Sequence, residues 1–390
     1  MNVLEVYSHS FTNAGGVEVH LRDLCMCLKS RGHKVTVLSY AEGGSKCEVI
    51  DGIGILRIRI PRILLLFRYP SIIMLSFMMV YFIHKMRIDV VHAHGYTAAM
   101  AGAFVTKLTH KHVVATFHLA PQYTNRPLLF FEMFEKEMRA RLLSCLTVIL
   151  CVSLFTLTAL KKFGITSGNV RLLLNWVPLS TVELDTGSAE NGQKSSLDVC
   201  KGPIKLISVG RLSSQKGFDL LIRAVSLLVS EGFNLHLTII GDGSERSRLN
   251  QMRIKLGLAE KVELTGRLPD PEKISLIRSS DIFVLPSRFE GLPLTILEAM
   301  YLERPVIATN ISAIREIITS EYNGVLVEPN VNSLASALKL VINDSDFRRR
   351  LSKRARETIE EKFSYANCVT TVSLLENCSK GMIGIHEISI

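Results

Sequence analysis

The chain has 390 residues, 47% of them hydrophobic and 21% charged, with 25 Gly and 12 Pro. That length suits two or three domains of about 100–200 residues, and the apolar fraction excludes disorder, collagen-like repeats and low complexity. The net charge of +10 lies wholly in the first half: residues 1–180 hold 20 Lys+Arg against 10 Asp+Glu, and residues 181–390 hold 26 against 26.

Met1-Asn2-Val3-Leu4 opens with a short apolar run that reads as a buried strand, without the basic n-region and long h-region of a secretory leader. Apolar strand-like runs follow at Val35–Ser39, Val90–His92, Val113–Phe117, Thr147–Val152 and Val170–Leu174, after a first at Val3–Tyr7, with helical periodicity between them. The most apolar stretch, Ile72–Ile83, is broken only by Ser76 and falls well short of the ~20 residues that span a bilayer. The eight cysteines form no C-x-x-C pair, so neither a disulfide scaffold, a zinc site nor a redox motif is indicated, and a reducing cytosol is the expected setting.

Residues 183–202 are polar and rich in Gly, Ser and Asn, which marks a linker. Beyond it a cleaner alternation predicts strands at Lys205–Val209, Leu235–Ile240, Val262–Thr265, Ile282–Leu285, Val306–Ala308 and Val325–Val327. The helix after Lys216 carries Phe218, Leu221, Ile222, Val225, Leu228 and Val229 on one face. Short apolar strands alternating with helices imply parallel sheets covered on both faces, an α/β fold with two Rossmann-like domains. The expected division is 1–180, a linker over 181–203, and a second domain over 204–363. Ligands of such sheets bind at the carboxyl ends of strands, which directs attention to the cleft between the domains.

Four groups of residues fall at such ends. Gly15-Gly16 follows the first strand and opens a helix, where bare backbone and a helix N-terminus suit an anion or merely a tight turn. Arg211 and Lys216 share the loop after the strand ending at Val209, and two cations there suit a diphosphate. Glu290 lies in a loop, Pro293 suits a first helical turn, the N–H groups near Leu294 and Thr295 form an anion site, and Glu298 follows in the helix. By spacing alone Glu298 is a surface charge. His118 stands just after strand Val113–Phe117, and His92 and His94 sit two apart on another strand with no third metal ligand at suggestive spacing.

Taken in order, Gly15-Gly16, His118, Arg211, Lys216, Glu290 and Glu298 resemble the family-4 retaining glycosyltransferases. The resemblance runs nearly the full chain, through Gly32-His33-Lys34-Val35, Asp89-Val90-Val91-His92-Ala93-His94, Val209-Gly210-Arg211-Leu212, Lys216-Gly217, Gly241-Asp242-Gly243 and Gly266, to two glutamates with seven residues between them. It departs at Asn175-Trp176-Val177-Pro178 and at Leu292-Pro293, where the family often has Asn-Gly-Val-Asp and Phe-Gly.

The resemblance implies the GT-B fold, an acceptor-binding N-terminal domain, a donor-binding C-terminal domain and a helix over 364–390 crossing back to the first. It implies a retaining transfer of a hexose from a nucleotide-diphosphate sugar, UDP- or GDP-linked, with no metal and no other cofactor. Arg211 and Lys216 would hold the diphosphate, Glu298 the ribose and Glu290 the sugar. His118 would contact the sugar, Gly15 and Gly16 would admit the diphosphate, and Gly266 and Arg267 would lie near the base.

Members with Glu-Gly-Leu-Pro resemble enzymes of surface polysaccharide or glycolipid synthesis, so the expected acceptor is a glycan or lipid-linked molecule, and nucleic acid is not expected. The basic half is a solvated surface or docks on an anionic membrane face from the cytoplasm. Competing readings are a nucleotide-sugar epimerase, a phosphorylase, or a nicotinamide oxidoreductase suggested by Gly241-x-Gly243 with Glu263 beyond it, although Arg246 occupies the third glycine's place.

Overall fold

In the first half, hydrophobic strands collect into one sheet. They are β1 (Asn2–Ser10), β2 (Lys34–Ala41), β3 (Lys46–Ile50), β4 (Ile53–Arg59), β5 (Val90–His94), β6 (His112–Phe117), β7 (Val148–Cys151) and β8 (Val170–Leu172). The order is β3-β4-β2-β1-β5-β6-β7-β8, parallel except for β3, which runs antiparallel to β4. The central strands are mostly apolar because both faces are covered: Val3, Leu4, Val90, Val91, Val113 and Val114 are fully buried. Helices α1 (Gly16–Ser30), α2 (Arg68–Met86), α3 (Gly95–Thr109), α4 (Glu132–Leu143) and α5 (Leu154–Lys162) alternate with them. The coordinates are a computed structural model and describe residues 1–10, 15–41, 44–59, 68–119, 132–165, 168–186 and 202–382.

The sequence reading places no strands over 46–59, where the structure has the β3–β4 hairpin. Its turn is Asp51-Gly52, both residues left-handed at φ 53° and 74°, as a two-residue turn between twisted strands demands. The Asp-Gly pair between two apolar runs was the available signal.

The second half forms a six-stranded, all-parallel sheet. Its strands are β9 (Ile204–Val209), β10 (Leu235–Ile240), β11 (Val262–Gly266), β12 (Ile282–Leu285), β13 (Val306–Thr309) and β14 (Val325–Val327), in the order β11-β10-β9-β12-β13-β14. Its helices are α6 (Leu179–Thr186), α7 (Phe218–Ser230), α8 (Arg246–Lys255), α9 (Asp270–Arg278), α10 (Leu294–Tyr301), α11 (Val331–Asn343) and α12 (Ser345–Lys362). The expected stripe of α7 is its core face: Phe218, Leu221, Ile222, Val225 and Leu228 are buried.

The chain divides into two compact units, Met1–Asn175 with Ala366–Ile390, and Trp176–Tyr365. The boundary falls before residue 180, and residues 181–186 of the expected linker lie in α6, where Asp185 pairs with Arg278 and Arg356 at 3.0 Å each. Residues 187–201, including Cys200, lie outside the described residues, as do Asn13, Ala14, Arg62 and 383–390. The last helix, α13 (Ala366–Ser379), belongs to the first unit, where Glu376 meets Arg31 at 3.2 Å and His33 at 2.7 Å.

Helix α2 contains the apolar stretch and is two-sided. Ile72, Leu75, Met79 and Ile83 are buried in the first core, whereas Ile73, Phe77 and Tyr81 are 52%, 70% and 55% exposed. Among the described residues no helix is long and apolar enough to cross a membrane.

Gly241 ends β10 at φ 145°, and a Cβ there would stand 1.9 Å from the Gly210 carbonyl oxygen. Gly257 has φ 70° with nothing within 4 Å of a built Cβ. Gly257→Ala therefore meets only backbone strain and should cost about 1–2 kcal/mol. Gly241→Ala adds a backbone clash and should cost more than about 3 kcal/mol. Urea unfolding of both variants checks the order; equal midpoints would contradict the packing of β9 against β10.

Candidate active site

In the second unit, β9 ends in Gly210-Arg211 and the chain turns through a short 3-10 segment, Ser214–Lys216, to Gly217. Gly217 has φ 67°, and a Cβ on it would lie 2.0 Å from the Pro286 carbonyl oxygen. Only glycine lets this loop close on the one that follows β12. That approach carries Lys216 to Glu290: Lys216 Nζ donates to Glu290 Oε1 at 2.6 Å, and Ser287 Oγ donates to the same oxygen at 2.6 Å. Arg288 adds a two-pronged pair with Asp219, 2.9 Å on each arm, and Arg288 Nη1 donates to the Ser214 carbonyl. Burial raises the Asp219 carboxyl's pKa, but the Arg288 guanidinium overcomes this and the net effect is a lowering. Arg211 is exposed, as the sequence reading expects, but Lys216 is not an exposed loop cation: it is half-buried because Glu290, 7% exposed, holds it.

Helix α10 starts after Pro293, so the N–H groups of Leu294 and Thr295 lie in its first turn, where the helix itself supplies no acceptor. One turn on, Glu298 is no surface charge. It is 2% exposed and accepts from Lys273 Nζ at 2.8 Å, while Lys273 also meets Asp270 at 2.9 Å. Burial works against the Lys273 ammonium, but Glu298 and Asp270 outweigh it and hold its pKa above the ordinary lysine value. Glu298 Oε2 and Thr295 Oγ1 are buried with no hydrogen-bond partner among the described residues.

Gly266 closes β11 at φ 84°, accepting from Gly241 N–H at 2.8 Å, and Arg267 beyond it is exposed. Beside it an open hollow of about 530 Å³ is lined by Asp242, Ser244, Arg246, Asn250 and Arg253 among others. None of Arg211, Lys216, Gly266, Arg267, Glu290 or Glu298 lines it.

In the first unit, Gly15 caps α1 and Gly16 begins it. The room left by the missing Gly15 side chain is taken by Glu18, whose Oε2 would lie 2.4 Å from a Cβ there, and whose Oε1 accepts from Tyr7 Oη at 3.2 Å. His118 is 8% exposed and far from alone. Its Nε2 is 3.2 Å from His94 Nδ1, and its ring meets His20 edge-on with centroids 4.7 Å apart. His94 Nε2 is 2.7 Å from Glu5 Oε2, and His92 Nδ1 is 3.0 Å from the same oxygen. His20 Nδ1 donates to Asn175 Oδ1 at 2.7 Å.

The polar atoms of His20, His94 and His118, and those of Glu5, His92 and His94, form two triplets within 4.8 Å. Burial lowers the His20 pKa to about 3, the His94 pKa to about 4, and that of His118 well below its ordinary value, with neighbouring imidazoles adding to each. Burial raises the Glu5 pKa, but His92 and His94 overcome this and bring it to about 2.

The structure thus gathers Lys216 with Glu290, and places Glu298, Leu294 and Thr295 on one short helix of the same unit. Gly15, Gly16 and His118 belong to the other unit. Sequence reasoning misses Glu5, His20, Ser287 and Lys273. A glutamate inside the apolar strand Val3-Leu4-Glu5-Val6 was a signal for the first, since an ionised group in a doubly covered strand needs partners. Nothing in the sequence ties Lys273 to Glu298 or Lys216 to Glu290.

Residues 14–181 match the family Glycosyltransferase Family 4, and residues 191–358 match Glycosyl transferases group 1. An uncharacterized glycosyltransferase of Methanocaldococcus jannaschii is 26% identical over 96% of this chain and 95% of its own. One component of the human phosphatidylinositol N-acetylglucosaminyltransferase is 26% identical over 87% of this chain and 68% of its own. The crystal structure of Anabaena HepE with UDP-glucose superposes with a TM-score of 0.72 at 17% identity, covering 97% of this chain and 99% of that one. With both halves matched and two parallel sheets of this topology, the chain belongs to the family-4, group 1 glycosyltransferases and has their GT-B fold.

Proposed function

We propose that the protein is a retaining glycosyltransferase that moves a hexose from a UDP- or GDP-linked sugar to a lipid-linked glycan or a surface polysaccharide or glycolipid precursor. The observation that carries this reading is the cluster after β9 and β12: exposed Arg211, the Lys216–Glu290 pair with Ser287 donating to the same carboxylate oxygen, and the buried Glu298 of α10. HepE, solved with UDP-glucose, supports the donor class, and the human relative's name supports a lipid acceptor.

Arg211 and Lys216 neutralise charge that grows on the leaving diphosphate as the sugar–oxygen bond breaks, with the N–H groups of Leu294 and Thr295 adding to the field. Glu290 fixes the Lys216 ammonium and offers its second oxygen to the sugar. Glu298 accepts from ribose hydroxyls through Oε2, its other oxygen being held by Lys273. Attack comes from the same face that the nucleotide leaves, and a phosphate oxygen takes the acceptor hydroxyl's proton, so configuration is retained. His118 contacts the sugar. The fixed cations supply what a metal would, so no cofactor is needed.

The oxidoreductase alternative rests on Gly241-x-Gly243. A Cβ on Gly243 would lie 2.4 Å from the Leu212 carbonyl, and one on Gly241 1.9 Å from that of Gly210. Both glycines are accounted for by loop packing within the protein.

The exposed stripe Ile73, Phe77 and Tyr81 on α2, with Lys85 and Arg87 at its end, supports a peripheral anionic-membrane contact. Of the arginines that precede the helix in sequence, Arg57 pairs with Glu48 at 2.7 Å, while Arg62 lies outside the described residues.

Arg211→Ala should lower kcat about 100- to 1000-fold with unchanged stability, the scale for one lost electrostatic donor. Lys216→Ala should do the same and lower stability by about 1–3 kcal/mol, because Glu290 is left buried without its partner. Glu298→Gln should raise the donor KM, whereas Glu290→Gln should mainly lower kcat; the reverse pattern would exchange their roles. Nucleotide release from UDP-glucose and GDP-mannose, followed with thermal unfolding, reads all four.

Transfer should persist in excess EDTA, and rescue of a chelator-inhibited enzyme by magnesium or manganese would contradict cation-only catalysis.

Full-length protein should float with anionic liposomes at low salt and less at high salt, and Phe77→Ser with Tyr81→Ser should weaken flotation. Protein left in solution at low salt would move a soluble acceptor ahead.

A further inference from the structure

We propose that Glu5 and His94 are positioning residues for His118, a buried carboxylate–imidazole–imidazole chain that fixes His118 as the Nε2–H tautomer and leaves Nδ1 as a hydrogen-bond acceptor. The step from this tautomer to function rests on the reading that His118 meets the donor sugar.

The sheet register builds the chain. Strand β5 lies between β1 and β6, with Glu5 opposite His92, Tyr7 opposite His94 and His94 opposite Thr116. Alternate residues share a face, so His92 and His94 point the same way, and His118 continues the side of Thr116 two residues past it. The result is a polar core inside an apolar sheet: Glu5, His92 and His94 are 0% exposed.

Donor and acceptor logic then runs in one direction. An ionised carboxylate only accepts, so His94 Nε2, 2.7 Å from Glu5 Oε2, carries the proton. A neutral imidazole has one N–H, so His94 Nδ1 accepts. His118 Nε2, 3.2 Å away, must donate to it. The remaining nitrogen of His118, Nδ1, keeps its lone pair. Among the neighbours, His92 pairs with the Thr116 hydroxyl through Nε2 at 2.7 Å while its Nδ1 lies 3.0 Å from Glu5 Oε2 without a hydrogen bond, and His20 donates from Nδ1 to Asn175. Deep burial keeps the imidazoles of His20, His94 and His118 neutral at neutral pH, which the chain requires.

A histidine fixed this way has one chemistry to offer a sugar. It accepts a hydroxyl's hydrogen and donates none, so a hydroxyl replaced by fluorine would find no partner there. Loss of Glu5 or His94 lets the ring sample the other tautomer with the wrong polarity, as happens when the orienting carboxylate of a catalytic triad is removed. A metal held by His118 Nε2 would do the opposite, taking the lone pair there and leaving the proton on Nδ1.

The test is 15N NMR of the histidine-labelled full chain, with His118 assigned by its absence from His118→Asn. We expect one His118 tautomer, protonated at Nε2, from pH 6 to 8, and exchange between tautomers in Glu5→Gln and in His94→Phe. With UDP-glucose or GDP-mannose, whichever releases nucleotide, both variants should lose about a hundredfold in kcat with donor KM little changed, the scale of a misplaced group. An Nδ1–H tautomer in the unmodified protein overturns the proposal, as does one equivalent of tightly bound metal by elemental analysis. A single Nε2–H tautomer persisting in both variants also overturns it. Full nucleotide release by His118→Ala would instead remove His118 from the sugar site while leaving the tautomer result to stand by itself.

Discussion

A parallel sheet covered by helices on both faces leaves polar chemistry two places to go: the carboxyl ends of its strands, or a buried position where polar groups partner one another. This protein uses both. The second unit keeps the buried positions of its strands largely apolar and carries its site charges on the loops after β9 and β12 and on α10. The first unit places Glu5 in mid-strand, fully buried, and surrounds it with imidazoles. An uncompensated carboxylate there would destabilise the fold by several kcal/mol, so the histidines around it are a structural necessity as well as a chemical resource.

Glu290 and Glu298 of the second unit follow the same logic, buried at 7% and 2% exposure. Each gives one oxygen to a lysine, Glu290 to Lys216 and Glu298 to Lys273. A carboxylate held by one oxygen cannot swing, and its second oxygen is aimed without further loss of side-chain entropy. Lys216 is itself positioned by the residue that it neutralises, so the two roles assigned to this loop, gripping phosphate and orienting sugar, are coupled. Removing either partner disturbs both.

The alternation of strands and helices was legible because propensity, burial and period agree. The limits of β10, β12 and β14 coincide with their apolar runs, since most of each strand is buried. The β3–β4 hairpin was less legible because β3 is mostly exposed, so burial does not impose an apolar run, and only Asp51-Gly52 marks it. The positions of the site residues could be read, but their environments could not. Glu298 resembles a surface charge by spacing and is buried because Lys273, 25 residues earlier, folds beneath it. His118 looks solitary in sequence and stands beside His20 and His94, which come from α1 and β5. Such partnerships depend on sheet order, which local pattern does not encode.

The glycines show how a motif can point to the right place for the wrong reason. Gly241-x-Gly243 after a strand suggests a backbone bared for a dinucleotide, yet at both positions the atom that excludes a side chain is a carbonyl of the β9 loop. Gly217 works alike, against the loop after β12. These contacts lock the loops after β9, β10 and β12 to one another. The cations on the first and the glutamate on the last are thereby held at fixed separation before any ligand arrives. Preorganisation of that kind lets fixed charges act on a transition state without reorganising, and here it is achieved with backbone against backbone, where a single methyl group would force the loops apart.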